Sequence, residues 1–198
     1  MNLFTVARGD SPLVVDVPHA GTAVPAELAT RFTPAARAVP DTDWHVEKLY
    51  SALAAREGIT LVAATHSRYV VDLNRDPSGA ALYPGADNTE LRPTRTSATA
   101  AIYAGAPPDD AEVAARRARY WDPYHAALAV EIARVRARHG WAVLLDGHSI
   151  RAEVPRFFPG RLPDLNLGTA GGVACAPSLR EAAAAVLASG AGFTHVVD

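Results

Sequence analysis

The stretch LVVDVPHAG, residues 13–21, decides the fold. Leu13–Val17 is a short apolar run closed by Pro18, the pattern of a buried strand. Polar chemistry follows at once, with His19 directly after the strand. Working outward, residues 18–42 hold several prolines and read as a loop with room for a helical turn. Asp43–Glu57 predicts a helix with Val46, Leu49, Tyr50 and Leu53 on one face, ended by Gly58. Thr60–Ala64 and Tyr69–Asp72 read as two further strands, rich in β-branched residues.

A polar loop rich in Pro and Gly is expected over 73–108. The clearest helix spans about 110–139, opened by a capping box of Asp109 with Glu112. Tyr120, Tyr124, Leu128, Ile132 and Val135 form its apolar stripe, and Gly140 stops it. Pro123 lies inside and should kink or split it. Trp141–Asp146 is another buried strand, 147–171 a long loop, and Gly172–Cys175 a short strand. Ser178 with Glu181 opens a last helix that ends at Gly190, and Phe193–Val197 begins one more strand. Strands alternating with helices predict an α/β layered domain with a mostly parallel sheet. In such sheets the chemistry gathers at the carboxyl ends of the strands.

Composition narrows the function. The chain has 198 residues, enough for one domain with a real core. Its net charge of -2 supplies no global positive field for nucleic acid or an anionic membrane. A single cysteine, Cys175, excludes an internal disulfide and a thiolate-cluster metal site. The start shows neither a basic end nor a long apolar run, and no stretch reaches membrane-span length. A soluble cytoplasmic protein is the expectation.

Three segments put polar groups just past a strand: DVPHAG with His19, VVDLNRDP with Asp72, Asn74 and Arg75, and LLDGHS with Asp146, His148 and Ser149. If the first and last strands are parallel neighbours, His19 and His148 emerge on one edge, where two neutral imidazoles make good zinc ligands. A hydrolytic site needs a third ligand, and His-x-x-Glu does not supply it, because Thr22 stands three residues after His19. DTDWHVE offers Asp41, Asp43 and Glu47, with His45 as a nitrogen alternative. His66, His125, His139 and His195 have no supporting pattern of their own. The nucleophile elbow and the glycine-rich nucleotide loops are absent.

Taken together, PHAGTAVP (18–25), DTDWHVEKLY (41–50), SRYVVDLNRDP (67–77), ALYPG (81–85), ARYWDPYHAAL (118–128), LLDGHSI (144–150) and PGRLPDLNLGTAGG (159–172) resemble the N-formylglutamate amidohydrolase family, the deformylases of histidine breakdown. The resemblance spans essentially the whole chain, in order, as a single domain over 1–198. It implies a three-layer α/β/α fold with a mixed, mostly parallel central sheet, similar to the zinc carboxypeptidases. It also implies that His19 and His148 bind zinc (Co²⁺ and Fe²⁺ being alternatives), with Asp43 completing the set. The implied reaction is hydrolysis of N-formyl-L-glutamate to glutamate and formate, the last step of a histidine-degradation route. Arg75, with Arg68 as a second candidate, would grip a substrate carboxylate in a bidentate fork, and Asn74 would help by hydrogen bonding. The family normally continues past the segment matching THVVD and carries there a late glutamate, the implied general base. It often has asparagine where this chain has Ala170 in its GT-x-GG segment.

Overall fold

A computed structural model describes residues 2–80 and 87–198. The ALYPG segment therefore lies outside the described residues. The chain forms two compact units, Met1–Ile150 and Arg151–Asp198.

The first unit is built on four strands, β1 (Phe4–Ala7), β2 (Leu13–Val17), β3 (Thr60–Ala64) and β4 (Val143–Asp146), in the order β1-β3-β2-β4. β1 runs antiparallel to β3, while β2 is parallel to both β3 and β4. The register sets Val14 opposite Thr60 and Leu144, and Asp16 opposite Val62 and Asp146. Two one-turn helices, α1 (Ala26–Ala29) and α2 (Pro34–Arg37), occupy the proline-rich segment after β2. Helix α3 covers Val46–Glu57, and a long helical stretch leads into β4. That stretch is α4 (Asp110–Arg116), a π-turn over Arg117–Trp121 and α5 (Asp122–His139).

Strand alternation sorts the core into two faces. Val14, Val62 and Ala64 pack with Tyr124, Leu128 and Val135 of α5, together with Phe32, Tyr69 and Ile102. Val15, Val17, Leu61 and Ala63 pack on the other face with Val46 and Ala54 of α3. The mixed, mostly parallel sheet is thus the middle of three layers, as expected. The buried Glu131 of α5 is satisfied by Arg8 and Arg134, at 2.9 Å and 2.7 Å.

Several elements differ from the sequence reading. Strand β1 was not foreseen, because FTVA is a short edge strand with three exposed residues. Tyr69–Asp72 is not a strand but a buried turn, with Val70 N–H donating to the Ser67 carbonyl and Asp72 N–H to that of Leu91. Its apolar character reflects burial of a loop rather than sheet pairing. Helix α3 starts at Val46 rather than Asp43, because His45 takes a left-handed conformation with φ 68°. The Asp109 side chain caps α4 through Glu112 N–H, but the reciprocal half of the box is missing. Glu112 binds Arg31 and Arg116 instead. The expected break at Pro123 appears as the π-turn, in which Asp122 N–H reaches back to the Arg117 carbonyl.

The second unit carries β5 (Leu165–Leu167) parallel to β6 (His195–Val197), and α6 (Pro177–Ser189). The strand expected at Gly172–Cys175 is a turn: the Thr169 carbonyl accepts from Gly172 and Ala174 N–H. Helix α6 opens on Pro177 with no side-chain cap from its N-cap residue Ala176, not on the Ser178–Glu181 box. The Asp198 carboxylate accepts from Thr169 and Gly171 N–H, the Thr169 hydroxyl and Arg180. Ala170 sits at φ 51°, a left-handed conformation in which asparagine is enriched.

Candidate metal centre

The site grows from the carboxyl edge of the sheet. His19 lies two residues past β2 and His148 two residues past β4. Because these strands are parallel neighbours, the two rings come out side by side, with centroids 4.8 Å apart. Gly147 N–H donates to the Asp16 carbonyl at 2.8 Å, continuing the ladder past β4. A Cβ at Gly147 would fall 2.5 Å from the Tyr50 ring, so only glycine lets the strand end so close to α3. Gly21 is packed harder still, since a Cβ there would fall 2.3 Å from the His66 carbonyl oxygen.

Asp43 comes from the turn before α3. Its backbone N–H donates to the His19 carbonyl at 3.0 Å, which locks the two segments together. With His45 left-handed, the Asp43 side chain does not cap the helix. Its Oδ2 instead lies 2.8 Å from His148 Nδ1 and 3.9 Å from His19 Nδ1, and accepts from Ser149 N–H at 3.2 Å.

One ligand atom from each of His19, Asp43 and His148 lies within 4.8 Å of the others. Donors around one tetrahedral divalent ion sit about 3.3 Å apart, given metal–ligand bonds of about 2.0–2.1 Å. The 2.8 Å and 3.9 Å separations bracket that spacing. Two imidazoles and a carboxylate also suit zinc and its neighbours chemically, so the residues fit such an ion.

Each histidine has a carboxylate on its far side. His19 Nε2 is 2.7 Å from Asp72 Oδ1, and His148 Nε2 is 3.0 Å from Asp146 Oδ2. Such partners orient a ligating ring and fix which nitrogen faces the metal. Burial pulls His19 below its ordinary value despite Asp72, which keeps the imidazole neutral and ready to ligate. For His148, burial is outweighed by the hydrogen bonds and charges of Asp146 and Asp43, and its value rises to about 9. Burial would push Asp72 up, but Arg68 and His19 hold it well below the usual carboxylate range.

The other sequence candidates occupy distinct positions. Asp41 accepts from the Tyr69 hydroxyl and Ser97 N–H, and Glu47 accepts from Ser51, so neither joins the cluster. His45 starts α3 beside Trp44. Arg68 places Nε and Nη2 on Asp72 Oδ2, at 3.1 Å and 2.6 Å, behind His19. Asn74 brings its side-chain amide to 2.8 Å from His148 Nε2. Arg75 donates from Nε to the Thr89 carbonyl and hydroxyl and from Nη1 to the Asn74 carbonyl. Sequence reasoning left Asp72 and Asp146 without a role. The available signal was that each opens a polar segment already holding a candidate residue.

Beneath the edge lies a further buried acid. Asp16 is 5% exposed, its Oδ1 has no partner among the described residues, and its Oδ2 is 3.4 Å from the Tyr124 hydroxyl. Burial and the charge of Asp146 raise it to about 7, against the opposing pull of His148 and Tyr124. Its folded value thus exceeds the unfolded one of about 3.9, so the folded state binds this proton more tightly. The associated stability is present below the unfolded value and is lost as pH rises toward 7. Asp16→Asn is expected to raise the melting temperature at pH 8 and flatten its decline from pH 5. Melts at both pH values check this, and an unchanged slope would refute it. Each kcal/mol relieved should appear as about 2–4 °C.

A layered α/β sheet presenting two imidazoles and a buried carboxylate at its carboxyl edge offers the donor set of a catalytic divalent-metal site. Comparison with known proteins gives the class. The sequence matches the N-formylglutamate amidohydrolase family over residues 11–198. It is 42% identical to the N-formylglutamate deformylase of Pseudomonas aeruginosa, over 99% of this chain and 73% of that protein. It is 38% identical to the N-formylglutamate deformylase of Pseudomonas putida, over 96% of this chain and 71% of that one. The crystal structure of N-formylglutamate amidohydrolase from Ralstonia eutropha superposes with a TM-score of 0.79 at 33% identity, covering 98% of this chain and 75% of that one. The chain belongs to the N-formylglutamate amidohydrolase family and is a hydrolase acting on an amide. No helix among the described residues is long and apolar enough to cross a membrane.

Proposed function

We propose that this chain hydrolyses N-formyl-L-glutamate to L-glutamate and formate, using a divalent ion held by His19, Asp43 and His148. Zinc is the first choice of ion, with Co²⁺ and Fe²⁺ as alternatives. The observation that carries the reading is the convergence of these three donors at the sheet edge, with Asn74 against His148. The names of the relatives supply the substrate. The resemblance of the sequence adds the setting, the last step of a histidine-degradation route.

His19, Asp43 and His148 would hold the ion, which when bound would supply Lewis acidity to the formyl carbonyl and acidify water at the site. The protein supplies the rest. Asp72 and Asp146 hold the two rings in position, and neutral His19 needs no proton removed before it ligates. Asn74 and Arg75 receive the glutamate carboxylates, the guanidinium by charge-assisted hydrogen bonding and the amide by hydrogen bonding. A dianionic substrate is thereby oriented before reaction.

The test is formate release by the zinc-loaded, desalted chain from N-formyl-L-glutamate, with N-acetyl- and N-succinyl-L-glutamate compared by glutamate release. The formyl substrate should be preferred. Arg75→Ala should raise KM about 10–100-fold, the value of one or two charge-assisted hydrogen bonds, with kcat within about threefold. Equal turnover of all three acyl groups, or an unchanged KM, would count against the reading.

A further inference from the structure

The stretch ARYWDPYHAAL, residues 118–128, has no part in the chemistry so far, yet it touches the Leu73–Arg75 segment twice. Trp121 donates its indole N–H to the Arg75 carbonyl at 3.1 Å. His125 Nε2 lies 2.8 Å from the Leu73 carbonyl. A carbonyl only accepts, so Nε2 carries the hydrogen. Burial keeps the His125 ring below its ordinary value and therefore neutral. The two rings are one turn apart and lie against each other, with centroids 3.8 Å apart and planes inclined by 30°.

The two carbonyls flank Asn74. The N–H of Asn74 itself donates to Asp72 Oδ1 at 2.9 Å. The backbone from Leu73 to Arg75 is therefore fixed at three consecutive points, two of them by one face of a helix. Asn74 and Arg75 leave this pinned backbone in set directions, Asn74 toward His148 and Arg75 toward Thr89. The π-turn ends on Trp121, so the indole sits where the helix is locally widened.

We propose that Trp121 and His125 are positioning residues for substrate recognition. Through the carbonyls of Arg75 and Leu73 they set the direction in which Arg75 and Asn74 meet the substrate carboxylates. This rests on the reading of Asn74 and Arg75 as carboxylate binders. Neither ring belongs to the donor cluster of His19, Asp43 and His148.

The experiment combines kinetics with amide exchange on the zinc-loaded chain. Trp121→Phe and His125→Phe keep the rings and remove the donors. Each should raise KM for N-formyl-L-glutamate about five- to tenfold, with kcat within about threefold and zinc content unchanged, as expected for one lost hydrogen bond. His125→Gln, which restores an N–H donor, should bring KM back within about twofold. A general loss of packing would lower kcat and zinc content as well and would not be rescued. The chain has three tryptophans, and Trp44 and Trp141 are 51% and 56% exposed. The indole N–H of Trp121 should therefore exchange with solvent at least about tenfold more slowly than the other two. Fast exchange at Trp121, or an unchanged KM in both phenylalanine variants while Arg75→Ala raises it, overturns the proposal. If Arg75→Ala itself leaves KM unchanged, the carboxylate reading has failed separately. The backbone amides of Asn74 and Arg75 then decide: faster exchange in Trp121→Phe upholds the positioning role, and unchanged exchange overturns it.

Discussion

His148→Ala is expected to fold normally and to hold almost no zinc. The His148 side chain is 32% exposed, so truncation opens no cavity, and Asp43 keeps its bond from Ser149 N–H. Stability should fall by about 1–3 kcal/mol, the cost of taking one partner from the buried Asp43, which leaves the chain folded. The donor set, however, drops from three residues to two, which no longer defines a catalytic zinc site. After zinc loading and desalting, the parent should carry about one ion per chain and the variant less than about a tenth of that. Formate release should fall about a thousandfold, roughly 4 kcal/mol of lost transition-state stabilisation. His148 is a cleaner choice than His19, which is 3% exposed and bonded to Asp72. Elemental analysis with a steady-state assay decides the matter. Retention of a full ion, or normal turnover, would sink the metal site.

Asp72→Ala should do the reverse and strike the fold first. Asp72 is fully buried and carries three partners, His19, Asn74 N–H and the Arg68 guanidinium. Its removal takes from the largely buried Arg68 the carboxylate to which it is hydrogen-bonded. Breaking such a pair from one side costs about 3–5 kcal/mol, far more than the pair contributes relative to an apolar substitute. His19 also loses the group that orients it, which should weaken metal affinity by about 10–100-fold. Urea unfolding and zinc titration measure the two effects separately. The double variant Arg68→Met/Asp72→Leu should recover part of the stability and none of the metal affinity. If it recovered both, Asp72 would be merely the partner of Arg68, with no hold on His19.

Much of this was legible in the residues. The apolar run ending at Pro18 and the run ending at Asp146 both became strands, and their parallel pairing put His19 and His148 on one edge. The choice among Asp41, Asp43, His45 and Glu47 was not legible, because it turned on one backbone angle. With His45 left-handed, Asp43 turns to the histidines, while Asp41 is taken by Tyr69 and Ser97. Tyr69–Asp72 misled because a loop packed into the core needs the same apolar residues as a strand. Long-range partners were hidden for a related reason. His125 reaches a carbonyl 52 positions away, and no local pattern marks such a bond.

The five residues Arg117–Trp121 also set a phase. Successive helical residues are rotated by about 100°, so one residue more or fewer turns everything beyond it by that angle. The turn therefore acts as a clutch between two helical segments that each have a buried face. Arg116 is buried before it, Tyr120 within it, and Tyr124, Leu128 and Val135 after it. Deleting one residue from this turn would leave the composition almost untouched and still swing α5 out of step with the sheet. Point substitutions there should be tolerated far better than any change of length.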